Sequence, residues 1–200
     1  MKCRRLTIII LFAALMCGSA LAAQTNNPAV LDRDELFFTY AGGFASGGMT
    51  LIDRKGWIDG KEGEKKSSGW CAGGGLLADI YVRSVCGEFT WQYSYDATGD
   101  SAASFSHSIY AATAKYVYAV NPIWDLTAGG GLYFEGPPAA KEHGGAGLEL
   151  VLGTILTSQK YELKFPIDIR ARLGFWGQDA KSTRAGVGLF IGVTKKLGRS

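Results

Sequence analysis

Apolar and polar residues alternate along residues 161–175, and this alternation constrains the fold more than any other feature of the sequence. The odd-numbered positions are all apolar or aromatic: Tyr161, Leu163, Phe165, Ile167, Ile169, Ala171, Leu173 and Phe175. The even-numbered positions are mostly charged or small: Glu162, Lys164, Pro166, Asp168, Arg170, Arg172 and Gly174. Successive side chains of a strand point to opposite faces, whereas a helix would spread both sets around its circumference. The segment is therefore predicted to be a strand with one apolar and one polar face.

The same alternation recurs along the chain and predicts eight strands. They span residues 36–51, 69–81, 86–95, 107–120, 124–134, 146–154, 161–175 and 185–194. Short turns are predicted at 82–84, 121–122 and 156–159, and longer polar loops at 52–68, 96–104, 135–145 and 177–183. Alternating short and long connections indicate an up-and-down antiparallel meander, and eight strands are enough to close a barrel. The predicted fold class is all-β, an eight-stranded antiparallel up-and-down barrel.

The first 22 residues have the features of a secretory signal peptide. A basic start is followed by an almost wholly apolar stretch, residues 6–17, and by the cleavage site Ala20-Leu21-Ala22. Residues 23–35 are then predicted to form a short N-terminal segment, and residues 36–200 the barrel domain. The alternative is a lipoprotein that retains Cys17 as an acylated first residue, but Met16 fits poorly before such a cysteine.

Charge excludes one class of partner. Removing Lys2, Arg4 and Arg5 with the signal peptide reduces the 21 basic residues to 18, equal to the 18 acidic residues. A neutral chain lacks the basic surface on which nucleic-acid binding depends, so no nucleic-acid partner is expected.

The polar faces of the predicted strands favour lipid as the solvent around the barrel. In a soluble barrel the apolar face would point inward, whereas in a membrane it points outward and the polar face lines the lumen. Glycines are frequent on the polar faces, where they suit a crowded interior. Ten charged residues of both signs also lie there: Asp79, Glu88, Lys115, Asp125, Glu149, Glu162, Lys164, Asp168, Arg170 and Arg172. We expect them to pair in the lumen, because an unpaired buried charge is costly.

Aromatic residues of the apolar faces gather near both ends of the predicted strands. Those near the short turns are Tyr118, Trp124 and Tyr161, and those near the long loops are Trp91, Tyr93, Tyr95, Phe134 and Phe175. Two aromatic girdles are typical of a membrane barrel. The alternative for each residue is ordinary core packing, as in a soluble periplasmic barrel that binds an apolar ligand. Subcellular fractionation distinguishes the two, because a soluble barrel needs no detergent.

Residues 35–197 resemble the small eight-stranded outer-membrane barrels of Gram-negative-type bacteria, the OmpW-like and OmpX-like group. The resemblance rests on the signal peptide that precedes them, the eight alternating strands, the three short turns and the four longer loops. The resemblance implies a transmembrane barrel with short periplasmic turns, longer extracellular loops and a periplasmic N-terminus. It also implies outer-membrane lipid, the barrel-assembly machinery and periplasmic chaperones as partners. The chain departs from the group at its end: the last strands of such barrels usually end at an aromatic residue, whereas here the chain continues through residues 194–200.

No catalytic, metal or cofactor site is expected. His107 lies between Ser106 and Ser108, and on a regular strand both serines face away from the histidine, so they cannot act with it as nucleophile and base. The chain is therefore not expected to be an enzyme. Cys71 and Cys86 are not expected to form a disulfide, because a hairpin that turns near Arg83 offsets them by about 30 Å along the strands.

Pro166 is the most unusual residue of the predicted wall, because proline cannot donate a ladder hydrogen bond and a closed barrel has only central strands. It is expected near mid-membrane. A harmless bulge is one interpretation. The other is a lateral opening for hydrophobic molecules, which the OmpW-like resemblance implies. The leading functional hypothesis is a narrow passage for small hydrophobic solutes. One alternative is a structural or surface-interaction barrel without transport, which would use its long loops for contact, including the charged residues 53–66 of the first loop. The other is the soluble ligand-binding barrel.

Overall fold

Eight strands pair in sequence order and close into one barrel in the computed structural model, which describes residues 38–58, 61–98, 105–136, 144–176 and 182–197. The strands are β1 (Phe38–Ile58), β2 (Lys61–Val82), β3 (Val85–Thr98), β4 (Phe105–Asn121), β5 (Trp124–Glu135), β6 (Gly145–Ser158), β7 (Leu163–Trp176) and β8 (Ser182–Lys196). All neighbours are antiparallel, and β8 pairs with β1. The predicted up-and-down barrel is confirmed. Residues 1–35, which include the predicted signal peptide and N-terminal segment, lie outside the described residues.

No helix in the described ranges is long and apolar enough to cross a membrane.

Three short connections define one end of the barrel, which we call the turn end; the opposite end is the loop end. Arg83, between β2 and β3, has a φ of 55°. The connection between β6 and β7 is a short 3₁₀ helix, Gln159–Tyr161, followed by Glu162 with a φ of 53°. The predicted position of this turn, 156–159, is wrong by three residues. The turn begins later because the β6–β7 ladder extends into the predicted turn, where Leu156 pairs with Phe165 of β7.

The first hairpin also differs from the prediction. Residues 52–68 were expected to form a polar loop, but β1 and β2 remain paired up to Ile58 opposite Lys61. The β1–β8 ladder ends at Asp53 and the β2–β3 ladder begins at Gly69, so the end of this hairpin extends beyond its neighbours. The hydrophobic alternation is missing there because a projecting ribbon has no core to face. The sequence nevertheless contains one indication of a hairpin in this segment, Asp59-Gly60, a residue pair typical of two-residue hairpin turns.

The two faces of the wall have opposite polarity. Large apolar side chains point outward and are exposed, as for Leu152 at 64% and Leu150 at 55%. Charged side chains point inward and are buried, as for Lys115 at 1% and Glu149 at 0%. A protein folded in water shows the reverse arrangement, because burial of apolar surface drives its folding.

Glycine makes room for the large interior side chains. A Cβ atom at Gly153 would lie 2.1 Å from Oδ1 of Asp168, and one at Gly174 would lie 2.2 Å from the hydroxyl of Tyr133. The small residues on the inward face therefore allow charged and aromatic side chains to fill a narrow lumen.

Candidate functional site in the barrel interior

An apolar and aromatic layer fills the interior at the turn end. It consists of the buried residues Tyr40, Tyr81, Cys86, Val117 and Ile155. The ammonium group of Lys164 lies 3.4 Å from the centre of the Tyr81 ring and 4.5 Å from that of Tyr40. A cation over an aromatic face is stabilised electrostatically, so these two rings stabilise the buried charge of Lys164.

Six charged residues form the next layer, which we call the central ion-pair cluster: Glu88, Lys115, Glu149, Asp168, Arg170 and Arg172. Lys115 Nζ lies 2.6 Å from Glu88 Oε2 and 3.4 Å from Asp168 Oδ2. Strands β3, β4 and β7 contribute these three residues, so the contact exists only in the closed barrel.

Arg170 is the centre of this cluster. Its guanidinium lies 2.7 Å from Glu88 Oε1, 2.8 Å from Asp168 Oδ2 and 3.2 Å from Glu149 Oε1. Arg172 pairs with Glu149 through its Nε and donates a 3.0 Å hydrogen bond from Nη1 to Gln92 Oε1. Three cations thus face three carboxylates, and the cluster is neutral. Such an arrangement satisfies charges that would be unfavourable when buried alone.

An apolar cluster lies beside the central ion-pair cluster. Phe44 and Phe190 stack with ring centres 4.0 Å apart, and Leu77 packs with them. The guanidinium of Arg170 lies 3.6 Å from the centre of the Phe190 ring. The same layer therefore contains a charged side and an apolar side.

A second polar cluster lies toward the loop end, and we call it the loop-end cluster: Asp96, His107, Glu135 and Arg184. Arg184 Nη2 lies 2.7 and 2.6 Å from the two carboxylate oxygens of Asp96, and Nη1 lies 2.8 Å from Glu135 Oε1. His107 Nε2 is 2.8 Å from Arg184 Nη1. Because an arginine only donates, this nitrogen accepts, so His107 is neutral.

The predicted strands exclude Asp96, Glu135 and Arg184, which lie in, or next to, predicted loops and so were missing from the predicted lumen charges. The signal was present. Asp96 continues the inward phase of β3 one step past Ser94, Glu135 continues that of β5 past Tyr133, and Arg184 precedes Gly186 in phase on β8. Extending each alternation by one pair of residues would have found all three.

The other predicted lumen residues are not part of the central ion-pair cluster. Asp79 and Asp125 are buried in the interior, at 1% and 4% exposure. Asp79 lies opposite Glu88 in the β2–β3 ladder. Glu162 was predicted to face the lumen, but it is exposed in the turn before β7. The reason is the displaced turn, which ends the alternation before this residue.

All eight predicted girdle aromatics are exposed on the outer surface: Trp91, Tyr93, Tyr95, Tyr118, Trp124, Phe134, Tyr161 and Phe175. Trp124 donates from its indole nitrogen to Thr154 Oγ1. The aromatic rings therefore occupy the outer surface, but Trp91 lies midway along β3 and not near its end as predicted.

Pro166 lies where the β7–β8 ladder is interrupted. Lys164 is opposite Thr194 and Ile167 is opposite Ile191, but the ladder skips Phe165 and Pro166. Pro166 points inward, and its Cγ lies 3.0 Å from where a Cβ of Gly192 would be. It is the fourth residue of β7 and so lies nearer the turn end than the expected mid-membrane position. The displaced turn again explains the difference.

The other chemistry-bearing residues occupy ordinary positions. Cys71 and Cys86 are free thiols, as expected, and face Asp96 and Tyr81 in the β2–β3 ladder. His143, in the predicted loop 135–145, lies outside the described residues. Across the described ranges, no group of three or more His, Cys, Asp or Glu residues could hold a metal ion.

Comparison with solved structures finds similarity to known proteins. The chain is similar to Ail, the attachment invasion locus protein of Yersinia pestis, crystallised in complex with the heparin analogue sucrose octasulfate. The identity is 14% and the TM-score is 0.38, over 80% of this chain and 99% of Ail. No protein-family model matches the sequence, and no curated protein sequence matches it. The fold assignment rests on the strand pairing described above.

Proposed function

We propose that this chain is a non-enzymatic outer-membrane barrel that passes small hydrophobic solutes. The inverted polarity of the wall carries the membrane part of the proposal. Exposed leucines, such as Leu150 and Leu152, are stable against hydrocarbon, and the six charges of the central ion-pair cluster behind them neutralise one another. A soluble ligand-binding barrel would need an apolar interior, whereas here the interior holds the central ion-pair cluster.

In this proposal the outward face contacts outer-membrane lipid. The short turns face the periplasm and the longer connections face the cell surface. The alternating strands need a barrel-assembly machinery and periplasmic chaperones to reach the membrane unaggregated. The resemblance to OmpW-like and OmpX-like barrels supports this topology.

The interrupted ladder at Pro166 supports a lateral exit. Leu77 and Pro166 flank Gly192, at 3.1 and 3.0 Å from the position of an added Cβ. Leu77 also packs with Phe44 and Phe190. A hydrophobic solute would move along these side chains, past the charged side of the layer, to a part of the wall with fewer hydrogen bonds. Water and ions would be stopped by the central cluster, so the route is selective for apolar molecules.

Replacing Pro166 by valine tests the exit. Valine restores a backbone N–H, so the β7–β8 ladder closes and uptake of a hydrophobic solute into cells is expected to fall several-fold. Uptake is measured in cells that express equal amounts of folded barrel. The matched control is Pro122→Val in an exposed turn, which should leave uptake unchanged. Equal uptake by the Pro166→Val and native proteins contradicts the lateral exit.

A second candidate function is surface interaction, favoured by the projecting hairpin. Residues 54–58 of β1 lie beyond the β1–β8 ladder, and residues 61–68 of β2 lie before the start of the β2–β3 ladder. Five residues of strand reach about 17 Å. Strand edges without a neighbour in the sheet accept an added strand from another protein, which gives a partner a place to bind.

Shortening this hairpin separates the two functions. We expect a variant in which Asn-Gly joins Asp53 to Lys66 to fold normally, because the removed residues lie outside the closed barrel. Adherence of cells expressing this variant to surfaces and to other cells should fall if the hairpin is the contact, while solute uptake should persist. The matched control is a variant in which residues 137–143 are shortened. If cells with the shortened hairpin adhere as well as cells with the native protein, the hairpin is not the contact.

A further inference from the structure

A cavity of about 60 Å³ lies in the interior between the central ion-pair cluster and the loop-end cluster. Arg170 and Arg172 line it on the turn side, and Glu135 and Arg184 line it on the loop side. Ile109 and Phe190 supply apolar surface. The cavity is much smaller than an ordinary ligand pocket, so it has room only for water or for a very small molecule.

Two buried polar groups on the wall of this cavity are without a partner among the described residues. The hydroxyl of Ser94, a residue only 1% exposed, makes no hydrogen bond, and neither does Nε of Arg170. Buried donors are nearly always satisfied, by protein or by a bound molecule, because an unmade hydrogen bond is costly. Both residues line the same cavity. The cavity therefore offers hydrogen-bond donors to whatever occupies it.

The charge of the interior selects against an ionic ligand. Seven carboxylates of the described barrel point inward: Asp79, Glu88, Asp96, Asp125, Glu135, Glu149 and Asp168. Five cations face them: Lys115, Lys164, Arg170, Arg172 and Arg184. The arginines that line the cavity are already paired with carboxylates, so an added anion would find no unpaired positive charge, and a cation would meet donors where it needs acceptors. A neutral molecule avoids both penalties.

We propose that this cavity binds a small neutral solute that carries a hydrogen-bond-accepting oxygen, such as a short alcohol or ketone. The oxygen accepts from the Ser94 hydroxyl or Arg170 Nε, and the carbon atoms contact Ile109 and Phe190. The volume equals that of about two water molecules, which limits the solute to about three or four non-hydrogen atoms. The site belongs to the folded interior, so it does not depend on the proposed exit at Pro166.

Acetone is the probe for this site. In the folded barrel, titration with acetone is expected to shift the backbone amide resonances of residues 92–95, which flank Ser94. Ser94→Ala removes one donor and should weaken the binding about fivefold. Ser94→Leu fills the cavity and should abolish the shifts. The matched control is Thr127→Leu: Thr127 is also buried with an unpartnered hydroxyl but does not line the cavity, so the shifts should be retained.

The thiol of Cys71, which lines the cavity, provides a second measurement. Methyl methanethiosulfonate is small and neutral; the thiolate attacks its sulfur, forms a methyl disulfide and releases methanesulfinate. Cys86 is fully buried at 0% exposure and is the internal control. Peptide mapping should show Cys71 reacting at least about tenfold faster than Cys86, because reaction requires access. Acetone should slow the reaction at Cys71 only.

Three results would overturn the proposal. Equal rates at Cys71 and Cys86 would mean that solutes do not enter the cavity. Fast reaction at Cys71 without any acetone-dependent shift would mean that the cavity holds only water. Acetone shifts that survive both Ser94→Ala and Ser94→Leu would place the binding elsewhere. If Pro166→Val lowers solute uptake, the acetone-dependent shifts and the reaction rates of the two cysteines should still be unchanged. The cavity proposal and the lateral-exit proposal can therefore fail separately.

Discussion

Replacing Arg170 by alanine is expected to lower the free energy of unfolding of the barrel by about 3–5 kcal/mol. Arg170 pairs with Glu88, Glu149 and Asp168, and all three carboxylates are essentially inaccessible to solvent. Without the guanidinium, three buried negative charges would share two cations, Lys115 and Arg172. Loss of one partner of a buried ion pair is costly because the remaining charge cannot be solvated.

Urea unfolding of the barrel in lipid vesicles measures this loss. The matched control is Lys195→Ala, which removes an exposed cation from β8 and should change the free energy of unfolding by less than about 0.5 kcal/mol. If Arg170→Ala is no more destabilising than Lys195→Ala, the central ion-pair cluster does not form as described. Planar-bilayer conductance of the same variant gives a second measurement, because loss of Arg170 should permit ion leakage that the native barrel prevents.

Placing arginine on the outer face midway along β6, as Leu152→Arg, is expected to destabilise the barrel in a bilayer by about 2–4 kcal/mol. Leu152 is 64% exposed, so a substitution to arginine at this position in a soluble barrel would leave stability almost unchanged or improve it. In a membrane the new charge must leave water for hydrocarbon. The sign and size of the effect therefore report which solvent surrounds the wall.

Ile123→Arg is the control for this substitution. Ile123 is also exposed, at 60%, but it lies in the connection between β4 and β5 at the turn end. A charge near the membrane interface costs only about 0–1 kcal/mol. Unfolding in vesicles should separate the two variants by at least about 1 kcal/mol. Equal stabilities would contradict the membrane proposal and favour the soluble barrel.

Several residues of the central ion-pair cluster could be predicted directly from the sequence. Lys115, Asp168 and Arg170 could be placed on inward faces because each lies in a strand whose apolar residues occupy the other parity. The same reasoning failed for Glu162, because a parity argument holds only inside a strand and the third turn begins three residues later than expected. It also missed Arg184, which lies in phase with β8 but was assigned to the end of a loop.

Alternation along single strands was enough, by itself, to determine the eight strands and most of the side chains that share a face, because that pattern is a local property of the backbone. Only the tertiary structure decided which charges meet. Arg172 contacts Gln92, which is 80 residues away in sequence, and Arg184 contacts Asp96 across 88 residues. Such contacts depend on strand register and on closure of β8 against β1. The ladder skip at Pro166 and the cavity beside Ser94 also arise from how neighbouring strands pack, which no single strand encodes.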